Sequence, residues 1–302
     1  MRAASVLGLC AALLVTGTAT SAAAFCRTTT CGPGQCTPSA DCDYCLEGGK
    51  PLFWASRCVS FSVHQAGSPL RGIDFETARN TIAGSYARWM AVDCGGGNGP
   101  SLQVYDYGAV SCNRQEYNQR VGNSNIWMFR DDYWPYVGAA STLALTTITF
   151  NVKTGEIFDA DVEVNSLQNS ITVGDTGVQA DLDSIVTHEA GHFLGLSHSC
   201  DTDATMYASY KVGQIGLRTL EPDDVAGICA LFPPGSERPC SSEPRHGFSS
   251  DCCSPRSLCD RTQKDSSSCG AAATGAEGQS SPWWLLGALG LAAASLGRRR
   301  RR

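Results

Sequence analysis

His188-Glu189-Ala190-Gly191-His192-Phe193-Leu194-Gly195-Leu196-Ser197-His198 is the stretch on which the reading of this chain turns. His188 and His192 are four residues apart, so on a helix their imidazoles point the same way. Glu189 follows the first imidazole, where a carboxylate can act as a general base. Gly195 lets the backbone turn sharply, which brings His198 round as a third nitrogen donor. Three imidazoles with a fourth position left open form the ligand set of a catalytic zinc. The 302 residues hold five histidines, and three of them fall here. Two histidines around one glutamate can arise on an ordinary surface helix. Five fixed positions within eleven residues are far more specific.

Working outward, Asp181 to Leu196 reads as the helix that carries the run, with Leu182, Ile185, Val186 and Ala190 beside the histidines. Cys58–Val63 alternates and is β-rich, which predicts a strand. From Asp74, a candidate N-cap, Phe75, Ala78, Ile82, Tyr86 and Trp89 recur at helical steps. Gly95-Gly96-Gly97 and Pro100 break the chain before strands at Leu102–Tyr107 and Asn125–Phe129. Leu143–Asn151 and Ile157–Val164 read as two more strands, turned at Lys153-Thr154-Gly155. A last helix opens at Glu221-Pro222, with proline at an early position, and ends before Pro233-Pro234. The expected fold class is therefore α+β.

With Met206 added, the motif resembles the metzincin (zincin-like) zinc peptidases. Ala204-Thr205-Met206-Tyr207 lies where that family has its methionine turn. Met206-Tyr207-Ala208-Ser209-Tyr210 is similar to the turn and pocket wall of the matrixin branch, although alanine stands at 208 where proline is usual. The resemblance implies a mixed β-sheet with an active-site helix and a C-terminal helix. It implies one zinc held by His188, His192 and His198, with Glu189 as catalytic base. Tyr207 and Tyr210 border the substrate pocket in this reading, with an ordinary core aromatic as the alternative for Tyr210, and an extended peptide adds as a strand beside Ser141–Thr146. Asp223 and Asp224 match paired aspartates of the last matrixin helix, which implies support for the methionine turn and capture of a freed N-terminus; the alternative is two first-turn acids favoured by the helix dipole.

In Phe158-Asp159-Ala160-Asp161-Val162-Glu163-Val164 the carboxylates share one face of a strand. The resemblance implies calcium at Asp159, Asp161 or Glu163. A solvated face is the competing expectation and the favoured one, since exposed carboxylates are the norm on a half-wet strand. Ile157 stands where the family's structural-zinc histidine would fall, which argues against that second zinc.

Residues 1–24 read as a secretory signal: Arg2, an apolar run from Val6 to Val15, and Ala22-Ala23-Ala24 before Phe25. That run is too short to span a bilayer. Removing Arg2, the five arginines at 298–302 and Glu277 leaves 17 basic and 28 acidic residues, a net charge of −11. So acidic a body excludes nucleic acid as the expected partner. Of 16 cysteines, fourteen lie in the body: Cys26, Cys31, Cys36, Cys42, Cys45, Cys58, Cys94, Cys112, Cys200, Cys229, Cys240, Cys252, Cys253 and Cys259. An exported chain with this many implies disulfides. That reading is preferred to a cysteine switch at Cys31-Gly32-Pro33 and to a zinc half-site at Cys42 and Cys45.

The domain expectation is a signal at 1–24, a cysteine-rich cap at 25–50, a peptidase domain at 51–234, a cysteine-rich linker at 235–268 and a tail at 269–302. In the tail, Cys269, about 14 apolar residues ending at Leu296 (about 21 Å as a helix) and the arginines resemble the C-terminal sorting tails of myxobacterial surface proteins. That implies processing near Cys269 by membrane sorting machinery and tethering at the outer cell surface. The expected function is a secreted, monomeric zinc endopeptidase acting on proteins or peptides. The alternative is a non-catalytic, disulfide-stapled surface module or adhesin on the same scaffold.

Overall fold

A computed structural model of the chain describes residues 24–31, 35–136, 141–251 and 292–293. All of the signal but Ala24 and all but two residues of the tail lie outside these, as do Cys252, Cys253 and Cys259. The labelled strands are β1 (Phe53–Trp54), β2 (Cys58–His64), β3 (Gln103–Val110), β4 (Ile126–Phe129), β5 (Ala144–Phe150) and β6 (Glu156–Val164). The helices are α1 (Phe75–Met90), α2 (Leu182–Leu194) and α3 (Pro222–Leu231).

The sheet runs β3-β2-β4-β6, with β1 on the start of β6 and β5 on its other side. All pairs are parallel except β5 with β6, where Thr146 faces Val162 and Thr147 faces Asp161. The sheet is thus mixed, and β5 is an edge whose one strand partner among the described residues is β6. Asp74 caps α1 by accepting from the Thr77 N–H at 2.7 Å, as its position predicted. The other strand and helix boundaries fall close to the expected ones.

Helices α1 and α2 pack together on the sheet. Tyr86 sits between Phe193 and Trp127, with ring centroids 5.4 and 6.0 Å away. Buried indoles need a partner for their N–H. Trp54 donates to the Phe193 carbonyl at 2.9 Å and Trp89 to that of Thr187 at 2.9 Å. Both therefore grip α2 itself. Every α2 residue except Asp183 is buried. Packing on all sides, rather than an amphipathic face, accordingly fixes this helix.

Five disulfides join described residues: Cys26–Cys45, Cys31–Cys36, Cys42–Cys200, Cys58–Cys240 and Cys94–Cys229. Cys31 is therefore not a free thiol. Cys26, Cys42 and Cys45 cluster together but are all oxidised, so they offer no thiolates to a metal. Residues 235–251 lie along the sheet, with Arg57 N–H donating to Pro239, Asn123 to Gly247 and Ser111 to Ser250. No helix among the described residues is long and apolar enough to cross a membrane.

The face of β6 that carries Asp159, Asp161 and Glu163 departs from the favoured expectation. All three are buried, at 1% exposure or less, rather than solvated. Residues from Glu116 to Tyr136 cover them. Asp161 accepts backbone N–H groups of Glu116 and Ile126 at 2.9 Å each. Glu163 pairs with Arg130 and accepts from the Tyr136 hydroxyl. Neither oxygen of Asp159 has a hydrogen-bond donor among the described residues.

Candidate metal centre

α2 begins at Asp181, whose carboxylate caps the Ser184 N–H at 2.8 Å and pairs with Arg218 at 2.7 Å. It ends at Gly195, with φ 113° and ψ 8°. The Gly195 N–H returns to the His192 carbonyl and the Leu196 N–H to that of Gly191, at 2.9 and 3.0 Å. This is a Schellman ending, which needs a left-handed residue and so favours glycine. The reversal carries His198 back beside the helix.

The rings of His188, His192 and His198 stand 4.6, 4.8 and 5.3 Å apart, centroid to centroid. One ligand atom from each lies within 4.8 Å of the others. His188 Nδ1 meets the Thr205 carbonyl at 2.6 Å and His192 Nδ1 that of Leu196 at 2.9 Å. A carbonyl can only accept, so each Nδ1 carries the proton and each Nε2 keeps its lone pair. The Nε2 atoms of His188 and His192 are buried without a hydrogen-bond partner. A buried lone pair with no donor is costly, and a cation is the species that satisfies several such pairs at once. The donor set thus fits zinc. Burial, then His198, lowers the His188 pKa to about 3, against a raising effect from the Thr205 carbonyl. Burial, followed by His188 and His198, holds His192 well below the ordinary imidazole range.

Glu189 is fully buried, and its Oε2 accepts from Thr146 Oγ1 at 2.6 Å. The sequence placed Thr146 in the substrate-edge segment, but nothing in it linked Thr146 to Glu189. It reads as a β-former in a strand, and its role emerges only when β5 lies against α2. Met206 lies under the helix at Gly191, where a Cβ would sit 2.2 Å from Met206 Sδ and 2.9 Å from Trp89. Glycine is therefore required there. Asp224 accepts from the Thr205 and Met206 N–H groups at 2.7 and 3.0 Å, and so holds the turn beneath the imidazoles. Asp223 accepts from the Ala24 and Phe25 N–H groups at 2.6 and 2.8 Å and from Ser199 Oγ at 2.7 Å.

Tyr207 is partly exposed, whereas Tyr210 is buried. The Tyr210 hydroxyl accepts from the Asp181 N–H at 3.0 Å and donates to the Gln214 carbonyl at 2.5 Å. It ties the start of α2 to the loop that follows. Ser209–Tyr210 pairs in parallel with Ala292–Ala293.

Residues 126–233, from β4 through α3, match the family model described as Matrixin, of the M10 peptidases. This segment is similar to a matrixin domain. Matrix metalloproteinase-C of Caenorhabditis elegans is 27% identical over 204 residues, which cover 66% of this chain and 32% of that protein. Metalloendoproteinase 1-MMP of Arabidopsis thaliana is 44% identical over 61 residues, 20% of this chain and 16% of the relative. Human matrix metalloproteinase-20 is 36% identical over 103 residues, 34% and 20% of the two chains. The chain thus spans a third or less of the length of these relatives. The matched segment contains the three imidazoles, Glu189, Met206 and both aspartates of α3. Its fold is the metzincin-like α+β arrangement, and zinc is the metal that matrixins use.

Proposed function

We propose that the chain is a secreted zinc endopeptidase that cleaves proteins or peptides. The observation that carries this reading is the triad itself: three imidazoles converge beside a buried glutamate, with Nδ1 of His188 and His192 fixed by backbone carbonyls. In this reading His188, His192 and His198 hold the zinc through nitrogen. When bound, the metal supplies Lewis-acid chemistry, acidifying water and polarising a carbonyl. Glu189 takes the proton of the attacking water and delivers it to the leaving amine. Thr146 keeps the carboxylate aimed. The substrate lies as an added strand along the outer edge of β5, beside Ser141–Thr146. Tyr207 borders its pocket, and Tyr210 sets the position of that wall from beneath. Mass-spectrometric mapping of casein or gelatin products is the test. Cleavage at internal bonds that stops on chelation is expected. Trimming from chain ends, or cleavage indifferent to chelation, would overturn the reading.

Calcium belongs to the same proposal, on β6. Glu163 is neutralised by Arg130, which leaves Asp159 and Asp161 as the ligands. Burial, then Asp161, raises the Asp159 carboxyl well above the ordinary range, and a cation would relieve that cost. Millimolar calcium should raise Tm, and Asp159→Asn should remove the rise. A melt that ignores calcium would remove the site from the account.

Secretion rests on the signal read at 1–24, with Phe25 as the mature N-terminus. Tethering rests on the tail read at Cys269. The chain is taken to act as a monomer.

A further inference from the structure

His188 and His192 ride on one rigid helix, but His198 lies on a loop. Its place is set by what holds residues 195–200: Met206 and Asp223 hold Ser199, and the N-terminal cap holds the rest. The Thr28 N–H donates to the Gly195 carbonyl at 3.0 Å, and the Ser197 N–H to the Cys26 carbonyl at 2.8 Å. Arg27 and Leu196 form an antiparallel bridge between these segments. Thr28 Oγ1 donates to the Leu196 carbonyl at 2.9 Å, the same oxygen that orients His192. The Cys42–Cys200 disulfide then ties the cap two residues beyond His198. The ring of Tyr44 meets the His198 ring edge-on at 5.2 Å and 77°, while Ser197 Oγ donates to the Tyr44 carbonyl at 3.4 Å. Cys26–Cys45 pins the far side of Tyr44.

We infer that this cap positions the metal triad, with Tyr44, Thr28 and the Cys42–Cys200 disulfide holding His198 in place for the metal. The inference rests on the reading of the triad as a zinc site. Two of three ligands come preformed. The third must be ordered, and any freedom left in residues 195–200 is lost again at each metal-binding event. The cap removes that freedom beforehand. Partners that orient metal ligands typically change affinity by about 10- to 100-fold when removed. The cap is therefore part of the metal centre, although it lies outside the segment that matches the matrixin model.

The test is zinc affinity, by competition with a chromogenic chelator, on the full chain. Cys42→Ser with Cys200→Ser, and Tyr44→Ala, should each weaken zinc by about tenfold or more, while Tyr44→Phe keeps the ring and the affinity. Cys58→Ser with Cys240→Ser is the control. It removes a disulfide of similar span, 182 residues against 158, that ties β2 to the segment after α3. It should lower Tm and leave zinc affinity within about threefold. Unchanged affinity in the cap variants, or an equal loss in the control, would overturn the inference while leaving the zinc reading intact. A wild-type chain that binds no zinc would overturn both.

Discussion

Thr146 Oγ1 donates a 2.6 Å hydrogen bond to Oε2 of Glu189, and both side chains are fully buried. The strand proposed to offer its edge to substrate thus also grips the proposed base. A hydrogen bond to a charged group is worth about 1.5–3 kcal/mol, roughly 10- to 100-fold. Thr146→Val should lower kcat by that factor and leave KM and zinc content close to wild type. Thr146→Ser should restore most of kcat. Peptide kinetics decide it: a fully active valine variant would remove Thr146 from the mechanism.

Asp223 Oδ1 accepts from both Ala24 and Phe25 N–H groups. Signal cleavage before Phe25 would turn that amide into an ammonium and so make the contact a charged pair. A chain starting at Phe25 should melt higher than one retaining extra residues, by about 1–2 kcal/mol. Asp223→Asn should erase the difference. Equal stability of the two starts in the wild-type background would contradict this account of the N-terminus.

Burial is the largest influence on Asp224, whose carboxyl is raised to about 6 against N–H donation from Glu221, Thr205 and Met206. Such a group holds its proton more tightly in the folded chain than in the unfolded one. Its contribution to stability is therefore present at low pH and lost as pH rises from about 4 to about 6. The loss is about 3 kcal/mol at neutral pH. Compared with Asp224→Asn, wild type should lose about that much between pH 4 and pH 7 by urea unfolding. A pH-independent difference between the two would show that Asp224 does not titrate in this range.

Local chemistry carried much of the site into the sequence. The spacing of His188 and His192 fixed a shared helix face, and Gly195 marked the reversal. Asp74 named its own helix start. What escaped depended on contacts between distant segments. The alternation in β6 predicted one wet face, because no local signal says that residues 116–136 fold over it or that Arg130 will neutralise Glu163. Tyr210 matched a pocket wall by position, yet its ring is buried and its hydroxyl joins Asp181 to Gln214. Thr146 and Tyr44 carry no motif at all. Each acquires its role from one neighbour across the fold.

Cleavage by Glu189→Ala at matched zinc content tests the central claim most directly. An internally quenched peptide is incubated with wild type and variant, and bound zinc is measured in the same samples. Loss of general acid–base help should lower kcat/KM by about 10²- to 10⁴-fold, with one zinc per chain in both proteins. Wild-type cleavage by a zinc-loaded Glu189→Ala chain would contradict the account, because the proton transfers assigned to Glu189 would then have no part in the reaction.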